Sequence, residues 1–200
     1  GYMTGGPHVY TGRDLAASHK HLNISEEEWK SFIDGLHEVC GDLGLPQQEV
    51  DDVTAVIESM RADCIIQDGE TPPTNPGHAV PPGDSLYARC GGVFGVAGFV
   101  DRCMDAWMAD PTLNANAAVE KWHMRAQRCG FKFLVTQIMA YMAGGPQRYT
   151  GRPLDEAHMH LSITPAEWRV FVDVANELNG PWRTVGVWGN VPPLSKHIWL

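Results

Sequence analysis

One stretch of this chain is written twice. Residues 2–39 read YMTGGPHVYTGRDLAASHKHLNISEEEWKSFIDGLHEV, and residues 141–178 read YMAGGPQRYTGRPLDEAHMHLSITPAEWRVFVDVANEL. They align without a gap at an offset of 139, and half the positions agree. Shared pairs include Gly5/Gly144, Pro7/Pro146, Tyr10/Tyr149, Gly12/Gly151, Arg13/Arg152, His19/His158, His21/His160, Ile24/Ile163 and Trp29/Trp168. Chance does not sustain agreement over that length, so the 200 residues hold parts of two copies of one structural unit. The length itself allows one domain or two small ones.

Between the copies, Gln67 to Ser85 reads QDGETPPTNPGHAVPPGDS, whose five prolines and three glycines continue neither a helix nor a central strand. It predicts a linker of mixed extended character. On either side the apolar residues recur with helical period. Glu26 to Val39 places Trp29, Phe32, Ile33, Leu36 and Val39 on one stripe. Ser25 with Glu28 forms a capping box ahead of it, and Thr164 with Glu167 repeats that pattern. Glu49 to Met60 carries Val50, Val53, Val56, Ile57 and Met60; Val93 to Met108 is a third helix, stopped by Asp110-Pro111. Arg125 to Met142 is a fourth, apolar enough to expect deep burial. No segment alternates strictly, so the fold class is all-α.

Charge and composition exclude several functions. The 15 Lys and Arg against 24 Asp and Glu leave a net charge of −9, the wrong sign for a nucleic-acid surface. The longest apolar run, Val93 to Val100, is interrupted by glycines and falls short of the ~18 residues of a membrane span. No signal peptide is visible, although the chain starts at Gly1 rather than at Met. The five cysteines are odd in number, and no two stand at C-x-x-C spacing. They read as free buried thiols in a reducing compartment, cytoplasmic or the interior of an organelle. Phosphate-loop, zinc-protease and nucleophile-elbow motifs do not occur. Glu26, Glu27 and Glu28 are favourable charges at a helix N-terminus.

What chemistry there is sits in the repeat. G-G-P-x-x-Y-T-G-R predicts a turn followed by a short helix. Seven residues past Gly12 or Gly151 stands His19 or His158, with His21 or His160 two further on. Residues i and i+2 diverge by ~200° on a helix, so the two histidines of a copy cannot hold one ion together. One faces inward, either as a hydrogen-bonded core residue or as a ligand. The histidines at 8, 37, 78, 123 and 197 lack a repeat partner and are assigned to the surface.

Taken together, Ser85-Leu-Tyr-Ala-Arg-Cys-Gly-Gly92, Val100-Asp-Arg, Ala109-Asp-Pro-Thr-Leu113, the G-G-P-x-x-Y-T-G motif and His158-x-x-Leu-x-Ile163 resemble truncated haemoglobins of the first group. The resemblance covers 84–178 as one nearly complete unit. It covers 2–66 as the second half of another, with Pro46 to Ile66 as a closing helix. On that reading the chain divides into a partial unit at 1–66, a linker at 67–84, a fuller unit at 85–180 and a Trp-rich tail at 181–200. The resemblance implies a two-over-two helical sandwich around haem b, with the histidine of H-x-x-L-x-I as proximal ligand of the iron. That is His158 in the fuller unit, with His19 as second candidate. Neutral imidazole is the usual proximal ligand in globins, its other nitrogen held by an acceptor.

Members of the group often carry a distal tyrosine and glutamine that hydrogen-bond dioxygen. Alignment forward from Gly92 places Met104 at the tyrosine's position, and alignment backward from Gly144 places Phe131 and Val135 on the distal helix facing the haem. The loop from Asn114 to Trp122 is longer than usual, so a shift of register would bring in Gln137 or Lys132. An apolar distal side gives dioxygen no donor, and nitric oxide or carbon monoxide suffers less. At the other end, Val185-Gly-Val-Trp-Gly-Asn-Val-Pro-Pro rules out a closing helix like that of the partial unit. Two functions follow. One is a haem protein that binds a diatomic gas, oxygen or nitric oxide, its partial unit completed by other chains or by upstream globin sequence. The alternative is a degenerate globin serving as a structural or docking subunit of a larger assembly, with or without haem.

Overall fold

A computed structural model describes residues 1–76, 82–125 and 127–178. The chain divides into two compact units, Gly1–Ala79 and Val80–Leu200. No helix among the described residues is long and apolar enough to cross a membrane. No named strand occurs there either; the extended pairing is an isolated parallel bridge between Ile24 and Ile65. The fold is all-α. Residues 182–200, with the expected aromatic tail, lie outside the described residues, as do His78 and His197.

In the first unit, Asp14 caps α1 (Leu15–His19) by accepting from the Ala17 N–H. A 3-10 turn, Lys20–Leu22, follows and ends at Asn23, whose φ of 55° is the left-handed conformation asparagine tolerates. Ser25 then starts α2 (Glu26–Asp42) through the expected reciprocal capping box with Glu28. The closing segment differs from expectation. In place of one helix over 46–66 there are two, α3 (Gln47–Glu58) and α4 (Arg61–Cys64). At the break the Ser59 hydroxyl donates back to the Val56 carbonyl at 2.6 Å. The reason is tertiary. A straight helix would carry Ile65 onward at ~1.5 Å per residue, whereas the break returns it beside Ile24, where the Ile66 N–H donates to the Ile24 carbonyl at 3.1 Å. The small core of Trp29, Cys64 and Ile65, flanked by Leu15, Ile24, Ile33 and Ile57, forms under that crossing. Lys20 fastens it by donating to the Ile65 carbonyl and the Glu70 carboxylate, both at 2.7 Å.

The second unit is built around α6. Ser85 caps α5 (Leu86–Arg89), and Gly91 and Gly92, at φ 81° and 72°, turn the sharp corner into α6 (Gly92–Ala109). Asp110 caps α7 (Pro111–Asn114) with Pro at its first position. Then come α8 (Ala117–Arg125), α9 (Arg128–Met142), α10 (Leu154–His158), a 3-10 turn Met159–Leu161 and α11 (Pro165–Leu178). Val96, Phe99, Val100, Cys103, Met104, Trp107 and Met108 of α6 are buried, and α9 and α11 pack onto them. The expected helix over 125–142 is thus α9, beginning at Arg128, and most of the expected 114–122 loop is α8. Nor is α9 deeply buried. Phe131, Val135 and Met139 pack on the α6 core, but Phe133 and Tyr141 are exposed, because α6 takes only one side of the helix.

Candidate functional site

The α10 helix and the turn after it position His158. Its ring Nδ1 lies 2.7 Å from the Leu154 carbonyl one turn earlier. A carbonyl can only accept, so Nδ1 carries a hydrogen, and in the neutral ring the lone pair then sits on Nε2. His19 repeats the arrangement, its Nδ1–H donating to the Leu15 carbonyl at 2.9 Å. Both rings are half-buried. The second histidines part company with the first, as the i+2 spacing requires. His160 is exposed, while the buried Nδ1 of His21 has no hydrogen-bond partner. After each histidine pair a left-handed residue, Asn23 or Ser162, ends the turn, and the cap of the next helix, Ser25 or Thr164, stands two residues later. Local chemistry imposes the same path on both copies.

The structure brings Met104, Phe131 and Val135 into one apolar cluster, Met104 from α6 and the other two from α9. Trp122 of α8 presents its edge to the Phe131 ring at 4.2 Å, an aromatic neighbour the sequence reading missed. The two polar residues that a shifted register would recruit are engaged elsewhere. Gln137 accepts from the Thr150 hydroxyl at 2.9 Å, and Lys132 is clasped by Asp101 and Asp105 of α6 at 2.6 and 2.8 Å. Hydrogen bonds from Asp101 and then Asp105 push the Lys132 ammonium pKa up.

Two asparagines anchor α8, Asn116 to the end of the histidine turn and Asn114 to the end of α6. Asn116 donates to the Leu161 carbonyl at 2.9 Å, while its own side-chain oxygen caps α8. Asn114 donates to the Met108 carbonyl and accepts from His123 Nδ1 at 2.7 Å. His123 is therefore half-buried, contrary to its assignment to the surface, and burial pushes its pKa down. His8 is also half-buried, whereas His37 is exposed. The signal that was available for α8 was the N-cap preference of Asn116.

The G-G-P motif of the second copy serves packing. A Cβ on Gly145 would lie 2.6 Å from Tyr87 and 2.8 Å from the Ala140 carbonyl, so only glycine fits there. Beside it, buried Gln147 donates to the Tyr87 hydroxyl at 3.1 Å, and the Tyr87 N–H donates to the Ala143 carbonyl at 2.8 Å. Among the described residues no group of three or more His, Cys, Asp or Glu stands ready to hold a metal ion.

No family model matches the chain. It is similar to a protein described as Group 1 truncated hemoglobin from Tetrahymena thermophila, 32% identical over 63 residues. Another so described, from Tetrahymena pyriformis, is 27% identical over 63 residues. Each match takes in 32% of this chain and 52% of the relative, so the chain spans about half the length of the curated relatives it matches. Helical architecture and sequence similarity agree on an all-α, globin-like fold.

Proposed function

We propose that this chain is a haem-binding globin that binds a diatomic gas, oxygen or nitric oxide, with His158 as proximal ligand of a haem b iron. The bond from His158 Nδ1–H to the Leu154 carbonyl carries the reading. It fixes ring and tautomer so that Nε2 is the nitrogen with a pair to give. The donor set fits the group: one anchored neutral imidazole from α10, and apolar side chains gathered from α6 and α9. When bound, the haem supplies an iron with a position open to a gas. The protein's part is to hold the imidazole and keep water from the opposite side, the latter through Met104, Phe131 and Val135. With Lys132 held by two carboxylates and Gln137 accepting from Thr150, these apolar groups favour nitric oxide or carbon monoxide over dioxygen. His19 is the second candidate ligand. Its unit would be completed by another chain or by upstream globin sequence.

A second reading, a docking subunit with or without haem, draws on the exposed apolar side chains of α2. Reconstitution with hemin separates the two. A strong Soret band in the purified chain, lost in His158→Ala together with a drop in melting temperature, supports the haem reading, because a ligand bound only to the folded state stabilises it by mass action. Absence of haem after reconstitution rejects it. Unchanged haem content in His158→Ala rejects the ligand assignment.

A further inference from the structure

The α2 helix carries an apolar stripe that its own unit leaves in water. Phe32, Leu36, Val39 and Leu43 follow one another at four, three and four residues, which at ~100° per residue keeps them on one side of the helix. Phe32, Val39 and Leu43 are 53%, 55% and 69% exposed. Their repeat equivalents show what such a stripe can receive. On α11, Phe171, Ala175 and Leu178, the equivalents of Phe32, Leu36 and Val39, all pack into the core around α6. There Phe171 stacks on Trp107 at 4.0 Å, and its carbonyl accepts from the Trp107 indole N–H at 2.9 Å. On that side α11 meets helices, α6 and α7, so a helix is what such a stripe receives.

Two features make the α2 stripe select a helix unlike α6. The first is shape. Gly35 stands where α11 has Val174, with nothing within 4 Å of the place a Cβ would occupy, and Leu36 stands where α11 has Ala175. Bulk has moved over by one residue, leaving a notch at Gly35. The second is charge. Residues 1–79 hold 14 carboxylates against 4 Lys and Arg, a net −10, whereas residues 80–200 hold 10 against 11, a net +1. The edge of the stripe away from Trp29 and Cys40 is lined by Glu28, Glu38 and Asp42. The α6 helix of a second copy would bring Asp101 and Asp105 with only Arg102, so like charges would disfavour it.

We propose that the Phe32–Leu43 stripe of α2 is a docking site for an amphipathic helix whose apolar face is flanked by Lys and Arg and carries a bulky residue for the Gly35 notch. This is helix-in-groove recognition with acidic selection at the rim. It does not depend on the His158 reading, since the stripe lies in the first unit and His158 in the second.

The test uses the full chain and a fluorescent 18-residue synthetic helix, the length of α6, with a Leu and Phe stripe and Lys and Arg flanks. Anisotropy should show binding that weakens as salt screens the charges. The same stripe flanked by Glu should bind at least about tenfold more weakly. The double variant Phe32→Ser, Val39→Ser should lose about tenfold or more, as truncated anchors do. Gly35→Leu fills the notch while favouring the helix, so it should weaken binding with the circular dichroism intact. Met124→Ser, at a side chain 83% exposed on α8, should leave binding unchanged. Equal binding of the Glu-flanked helix would overturn the proposal. So would tighter binding of a peptide copied from Gly92–Ala109, binding indifferent to Phe32 and Val39, or a dimer of the free chain that Phe32→Ser dissociates.

Discussion

At the scale of single residues, the cluster of Met104, Phe131 and Val135 makes the sharpest demand on the proposed function. Met104 is 3% exposed and offers no hydrogen to a bound gas. If Met104, Phe131 and Val135 line the gas site, dioxygen leaves quickly, because a missing hydrogen bond forfeits ~0.5–1.5 kcal/mol. Met104→Tyr should slow dioxygen dissociation by about threefold to tenfold in a stopped-flow trace; an unchanged off-rate would place the gas elsewhere. Thiol chemistry follows from burial alone. Cys103 is fully buried and its thiol pKa is pushed up to about 12, that of Cys90 to about 11, in both cases because burial penalises the thiolate. Cys40 and Cys64 are buried as well, and only Cys129 is exposed. The native chain at pH 8 should therefore consume one equivalent of a disulfide reagent promptly, and all five cysteines should react in denaturant. Two or more prompt equivalents in the native chain would contradict the burial of the other four.

At the scale of elements, the caps can be titrated. In the Ser25 box the Ser25 N–H, then the Ser25 hydroxyl, hold the Glu28 pKa below its ordinary value; Thr164 does the same for Glu167. A folded-state pKa lowered in this way contributes stability that is present above the unfolded value and lost as pH falls through the folded one. Melting temperature should accordingly decline as pH drops below the ordinary carboxylate range of ~4–4.5. Glu28→Gln should flatten that decline in the first unit. Ser25→Ala should cost about 1 kcal/mol, or roughly 4–8 °C in a domain of this size, read by thermal circular dichroism. These caps, the four apolar helices and the histidine turn were legible in the sequence because each rests on contacts within a few residues. The break at Ser59 and Met60 was not, since it exists to bring Ile65 back to Ile24 across 41 positions, and no local period records that. The α8 helix hid for a related reason. Its nine residues are fastened by Asn114, Asn116 and His123 rather than by a clean apolar stripe. At the candidate site, the roles proposed for His158 and His19 rest on the repeat and the resemblance. Trp122 and the asparagine anchors had no periodic signal to announce them.

At the scale of the whole molecule, the two copies contribute unequally. The first unit's described helices are α1 to α4, with no counterpart there of α6 or α9. A haem held at His19 from one side would leave its other face in water, at ~25 cal/mol per Å² of exposed apolar area. The isolated chain should therefore take up one haem, removed by His158→Ala and retained in His19→Ala. Hemin titration followed by a pyridine haemochrome measurement checks the ratio, and two haems per isolated chain would be incompatible with it.

The crossing of Ile24 and Ile65 has a topological consequence. Together with Lys20 on Glu70 and Trp29 on Glu58, it makes the first unit a ring fastened by contacts rather than by a covalent bond. Opposite the clasp lies the turn Leu43–Leu45, fully on the surface, with Gly44 at φ 65°. A nick there would open the ring yet leave the clasp holding its two sides together. The two pieces would part on a denaturing gel yet travel together in native buffer, so the unit can outlive the continuity of its own backbone.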